Sequence, residues 1–174
     1  MADLSRHLPL SNRPSQDESG VTADRREALA VVVRQAHDLT AGTQAPPAEA
    51  AARFLAESRL DREFAGRPLP EVADAVAAGA PRGIRALADA VRALLSLAAD
   101  RPVDLDPVTT GSVALYAVGR APFDRRAVVG GCTLRATDAG WEFGRGPERA
   151  APARQILDFA LGLADVPPPL TTRR

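Results

Sequence analysis

Apolar residues recur at helical spacing through most of the first 120 positions. Between residues 22 and 40 they fall on one helix face, at Leu29, Val32, Val33, Ala36 and Leu39. The pattern is strongest further along, where it predicts a core helix over residues 81–99. Between these two, breaks rich in proline and glycine favour a second helix starting near Pro47 and a short third piece over residues 71–78.

The segment that follows allows two interpretations. Asp106 followed by Pro107 is typical of a cap and a first-turn proline, so we favour a helix over residues 108–118, ending at Gly119. The alternative is a strand, because Val113, Leu115 and Ala117 also alternate with other residues.

After residue 128 the spacing of apolar residues becomes that of strands. Cys132, Leu134 and Ala136 have the spacing of a half-buried strand, residues 138–140 make a turn, and Trp141 and Phe143 share one face of a return strand. Residues 144–147 then form a tight connector to a last helix, which Pro152 opens.

These elements predict an α+β fold, with a mainly helical N-terminal part followed by a small β-hairpin and a C-terminal helix. We divide the chain into a disordered tail over residues 1–20, a helical region over 21–119, a small α/β module over 120–165 and a second disordered tail over 166–174. The first tail is polar, and the second carries three consecutive prolines.

The composition argues against nucleic-acid-binding, membrane-spanning and disulfide-bonded proteins. All 22 basic residues are arginine, as expected for a very GC-rich genome, and the formal net charge is zero. A net charge of zero supplies no overall positive charge for binding nucleic acid. No apolar run approaches the length of a membrane span. One cysteine excludes an internal disulfide, which fits a cytoplasmic location.

The scarce special residues gather in the hairpin. Trp141, Phe143 and Cys132 are our candidates for an apolar ligand site, because large apolar side chains on one strand face can line a pocket. We nevertheless favour the simpler interpretation that all three belong to the core.

No complete catalytic or metal-binding set is visible, so we predict neither a catalytic residue nor a cofactor. The only histidines are His7, in the first predicted tail, and His37. As an alternative, His37 can combine with Glu57 and Asp61 to hold a divalent metal. A solvated face with ion pairs at i, i+4, such as Arg53 with Glu57 and Arg59 with Glu63, explains the same carboxylates.

The Gly144 to Pro147 run also resembles a phosphate cradle between a strand and a helix. Pro147 lacks an N–H, however, and Glu148 places a carboxylate where an anion would lie, so a tight connector is the better interpretation.

The stretch LRATD, then W-x-F-G-x-G-P-E, then a Leu-rich helix resembles the C-terminal domain of the mycothiol-dependent maleylpyruvate isomerase family, over about residues 128–163. The resemblance is carried by Leu134, Asp138, Trp141, Gly144, Gly146 and Pro147. It implies a small sterol-carrier-like α/β module and a source among GC-rich actinobacteria. In that family a separate N-terminal bundle holds a divalent metal and mycothiol, and none of its catalytic residues transfers to this chain.

Two functional hypotheses follow. The first is a non-enzymatic binding or protein-interaction protein that takes a small apolar ligand or a partner, including a second copy in a homodimer. The second is a metal- or thiol-dependent isomerase or transferase, with a divalent metal and mycothiol as cofactors. A DNA-binding regulator is a weaker third option, since no basic recognition helix is evident.

Overall fold

The computed structural model describes residues 24–42 and 45–171. Along these ranges the elements are α1 (Arg26–Thr40), α2 (Pro47–Glu57), α3 (Asp61–Phe64), α4 (Leu69–Ala78), α5 (Ile84–Ala98), α6 (Pro107–Arg120), α7 (Phe123–Val129), β1 (Thr133–Ala136), β2 (Glu142–Gly144), β3 (Glu148–Ala151) and α8 (Ala153–Ala160). The α+β prediction is confirmed, with helices dominating. The predicted tail over residues 1–20 lies outside the described residues.

Helix α5 is the centre of the helical part. It packs against α1, α2 and α6, and α1 also packs along α4. The face predicted for α5 is buried, including Leu87, Val91 and Leu94, as are Leu29 and Val33 of α1. Periodic aliphatic stripes of this kind gain most by facing one another, since burial of each large side chain contributes about 1.5–3 kcal/mol.

Residues 107–120 form a helix, which confirms the preferred interpretation over the strand. The Asp106 carboxylate accepts a hydrogen bond from the Thr109 N–H at 2.9 Å, so the predicted cap is also confirmed. The helix continues one residue past Gly119 and stops at Arg120, immediately before Ala121 and Pro122.

A three-stranded sheet of order β2-β1-β3 follows α7. Strand β1 pairs antiparallel with β2, with Leu134 opposite Phe143, and parallel with β3. The presence of β3 corrects the sequence prediction, because residues 145–147 connect β2 to a third strand and not to a helix. Residues 148–151 show no alternation of apolar and polar side chains, and pairing with β1 is what makes them a strand.

The end of the chain corrects the prediction of a disordered tail over residues 166–174, at least as far as residue 171. Ala150 donates its N–H to Pro169 O at 3.2 Å, and Thr171 donates to Glu148 O at 2.7 Å, which places this segment along the outer edge of β3. Prolines lack an N–H but keep the carbonyl, so they serve as acceptors at a sheet edge.

The helical region and the α/β module share one core. A single cluster of buried apolar side chains runs from Leu29 and Leu94 through Val113 to Leu134 and Leu157. Helix α6 joins the two parts, since it packs against both α5 and α8.

Candidate docking surface around Trp141

Trp141 is the first residue after the turn between β1 and β2, and its side chain lies against the backbone of α6. Its indole Nε1 donates a hydrogen bond to Thr110 Oγ1 at 2.9 Å. A Cβ placed on Gly111 would lie 3.1 Å from the indole Cγ, so the absence of a side chain at this position is what allows the ring to approach the helix. Gly140, at φ 69°, supplies the turn conformation that aims Trp141 at α6.

Phe143 extends the aromatic surface along β2. Its ring centroid lies 5.6 Å from that of Trp141, with the planes 17° apart, so the two rings are stacked. Both side chains are half-buried and pack against the hydrophobic core. Their exposed parts line a surface groove, where aromatic groups can anchor a ligand or partner.

The exposed side of α6 continues this apolar surface. Val108 and Leu115, two turns apart, are 67% and 58% exposed, which is unusual for aliphatic residues in a helix of this core. Together with Trp141 and Phe143 they line an open groove of about 420 Å3, the Trp141 groove. The remaining lining residues are Pro107, Gly111, Ser112, Ala139, Gly140 and Glu142. Contiguous exposed apolar surface rimmed by polar groups typically marks an interaction site.

Of the three predicted ligand-site residues, the structure brings two together. Trp141 and Phe143 line the groove, whereas Cys132 is half-buried in the link between α7 and β1 and does not line it. Val108, Gly111 and Leu115 were not predicted. The available signal was that α6 carries apolar residues around its whole circumference, more than one core-facing side requires.

The glycines of residues 144–147 have a structural role. A Cβ on Gly144 would lie 2.3 Å from Cys132 O, and one on Gly146 would lie 1.8 Å from Gly131 O, so both positions require glycine. Glu148 is paired with Arg135 at 2.9 Å. The run is therefore a turn that passes close against the backbone of Gly131 and Cys132, just before β1.

The alternative metal ligands are not brought together. His37 is exposed on α1 and lines a separate apolar groove with α2 and residues 66–70, while Glu57 pairs with Arg53 at 3.7 Å, as predicted. Across residues 24–42 and 45–171, no group of three His, Cys, Asp or Glu side chains is placed to hold a metal ion. His7 lies outside the described residues.

The second predicted ion pair, Arg59 with Glu63, is wrong. Arg59 has a positive φ of 62° in the break between α2 and α3, so the two residues do not share a continuous helix. Arg59 instead pairs with Asp89 at 3.6 Å, and Glu63 pairs with Arg82 at 2.6 Å.

Asp106 fixes the end of α6 that borders the groove. Burial acts to raise the pKa of this carboxyl, but hydrogen bonds from the side chain and backbone of Thr109 and from the Val108 N–H outweigh it and lower the pKa. The group therefore stays ionised and keeps its cap well into the acid range.

Comparison with family models, curated proteins and solved structures finds no match to this chain. None of the helices in the described part is long and apolar enough to cross a bilayer.

Proposed function

We propose that this chain is a non-enzymatic binding protein that takes an apolar segment of a protein partner into the Trp141 groove. The observation that carries the proposal is the stacked, half-exposed pair of Trp141 and Phe143, continued by the exposed side chains of Val108 and Leu115. The exposed part of this apolar surface does not stabilise the chain alone, since contact of apolar groups with water costs free energy.

The shape of the groove favours a protein segment over a small ligand. Pockets for small molecules enclose about 70–90% of the ligand surface. Here Val108 and Leu115 stand on an open side, so a small molecule would leave much of its own surface in water. A partner's side chains can cover the aromatic pair and the two aliphatic residues together, as hot spots built around tryptophan do.

The edge of the sheet supports the same conclusion. Strand β2 is the outermost strand on the side of the groove, whereas the outer edge of β3 is covered by residues 168–171. The N–H of Ala136 donates to Trp141 O, so Trp141 uses its carbonyl within the sheet. The intervening Glu142 directs its backbone groups to the outer edge, where an extended partner segment can pair with them.

The positions that carry the family resemblance act in the fold of this module. Leu134 is buried in the core, and the Asp138 carboxylate accepts a hydrogen bond from the Ala153 N–H at 2.7 Å at the start of α8. Gly144 and Gly146 allow close backbone contacts. The proposal therefore takes the module as a scaffold for binding and transfers no metal or thiol chemistry to it.

Affinity capture from the source organism, with matched variants, tests this function. Leu115→Asp places a charge in the groove, and Val166→Asp places the same charge on an aliphatic residue that is 69% exposed elsewhere. We expect one partner to be retained by the wild type and by Val166→Asp and lost by Leu115→Asp.

Three results would contradict the proposal. They are equal retention by both variants, a retained species that is only a second copy of this chain, and a retained small molecule with no protein. Light scattering of the purified chain identifies the second of these directly.

A further inference from the structure

A second cavity, of about 400 Å3, lies between α5, α6, α7 and the end of α8, away from the Trp141 groove. Its floor is made of small side chains, Ala88, Ala117, Ala121 and Ala160. Its walls carry Arg92, Arg120 and Arg125, and we call it the arginine groove. Three guanidinium groups around one cavity stand out in a chain of zero net charge.

One of the three arginines is fully engaged in the fold. Arg125 Nη1 donates to Phe159 O at 2.8 Å and to Ala164 O at 2.6 Å, and its Nη2 pairs with the Asp165 carboxylate. It ties α7 to the end of α8, and its charge is balanced. The carboxylate in the lining, Asp89, forms a longer ion pair with Arg59, at 3.6 Å.

Arg92 and Arg120 are not balanced. Neither forms an ion pair with a carboxylate of the described residues. Arg92 Nε donates to Leu161 O at 3.2 Å, which holds the side chain at the wall and leaves both Nη groups as donors. The Arg120 guanidinium carbon lies 5.8 Å from the Tyr116 ring centroid, a contact that uses none of its N–H groups.

We propose that the arginine groove binds a small organic phosphate monoester. Two unbalanced guanidinium groups match the charge of about −1.5 to −2 that such a phosphate carries at neutral pH. Arginine presents N–H donors in a planar fork that fits phosphate oxygens, and hydrogen bonds between charged groups are the stronger ones. The alanine floor and the Tyr116 ring supply apolar contact for the organic part.

Isothermal titration calorimetry with phenyl phosphate tests the site, at low ionic strength, where exposed charges are least screened. The wild type should bind one equivalent, and benzoate, a monoanion with the same ring, should bind at least tenfold more weakly. Arg92→Gln and Arg120→Gln should each weaken phenyl phosphate binding about tenfold, since each removes charge-assisted hydrogen bonds. Arg145→Gln removes an equal charge from an exposed residue outside the groove and should leave binding unchanged.

The absence of saturable binding by the wild type would overturn the proposal. So would an equal loss in Arg145→Gln, which would show attraction by surface charge alone. If Arg92→Gln lowers the melting temperature because its bond to Leu161 is lost, Arg120→Gln carries the test, as that side chain has no backbone bond to lose. No result here depends on the Trp141 groove, so the two proposals fail separately.

Discussion

The replacement Gly111→Ala tests whether the indole of Trp141 lies on α6 as described. In a helix interior, alanine in place of glycine stabilises by about 0.5–1 kcal/mol through backbone entropy alone. At residue 111 the new methyl would lie 3.1 Å from Trp141 Cγ and 3.2 Å from Cδ1, so the ring must move by a few tenths of an ångström. That movement strains the 2.9 Å hydrogen bond to Thr110, which contributes about 0.5–1.5 kcal/mol.

Gly119→Ala is the matched control, because a Cβ at residue 119 of the same helix meets nothing within 4 Å. In Gly111→Ala the gain in backbone entropy is nearly cancelled by the strain on the Trp141 contact, whereas Gly119→Ala has the gain without the strain. We therefore expect the control to be more stable by about 1 kcal/mol, which corresponds to about 2–4 °C in melting temperature for a chain of this size.

The assay is urea unfolding followed by circular dichroism at the helical band. The emission of the sole tryptophan is recorded separately and should change in Gly111→Ala only. In a Trp141→Ala background the difference in free energy of unfolding between the two glycine variants should disappear, as a double-mutant cycle requires for neighbours in contact. Equal stabilisation by both replacements, with unchanged emission, would refute the described packing of the indole on α6.

Three further replacements test other contacts of the fold. Asp106→Ala should cost about 1 kcal/mol at neutral pH. The pKa of Asp106 is lowered in the folded state, so its contribution to stability is fully present above the unfolded pKa of about 3.9. The contribution is lost as the pH falls through the folded pKa. The unfolding free energies of wild type and variant should therefore converge in acid. Arg154→Ala removes hydrogen bonds to Leu95 O, Ala99 O and the Asp158 carboxylate, and should lower the free energy of unfolding by about 1–3 kcal/mol. The control Arg85→Ala, on the exposed side of α5, should lower it by less than about 0.5 kcal/mol. Urea unfolding measures both. Gly146→Ala should prevent accumulation of folded protein in expression trials, since its Cβ would overlap Gly131 O, whereas Gly131→Ala, at φ 72° with open space, should fold with a cost of about 1–2 kcal/mol.

The helical part was predictable because its periodicity is strong. The buried stripes of α1 and α5 follow from spacing alone, and the cap of α6 follows from Asp106 and Pro107. Helix α7 was missed although Pro122 before it and Gly130 after it are ordinary boundary signals. Strand β3 and the edge segment at residues 168–171 carry no such signal, because they exist only through pairing with other parts of the chain.

The candidate site was predictable only in part, because some of its residues are placed by long-range packing that leaves no local signal in the sequence. Trp141, just before β2, and Phe143, within it, are two residues apart on one face, and a period of two is enough to find them. The exposure of Val108 and Leu115 depends on which side of α6 meets α5 and α8, and that is decided by long-range packing. Cys132 shares the strand pattern but lies where the chain enters β1, away from the groove.

Site-specific photo-crosslinking tests the central claim, that the Trp141 groove is a docking surface, most directly. A photoreactive phenylalanine analogue is placed at Leu115 in the groove or at Val166 outside it, and cells of the source organism are irradiated. We predict one protein adduct from position 115, mapping to an apolar segment of the partner, and none from position 166. Adducts of equal yield from both positions, or none from position 115, would contradict the account.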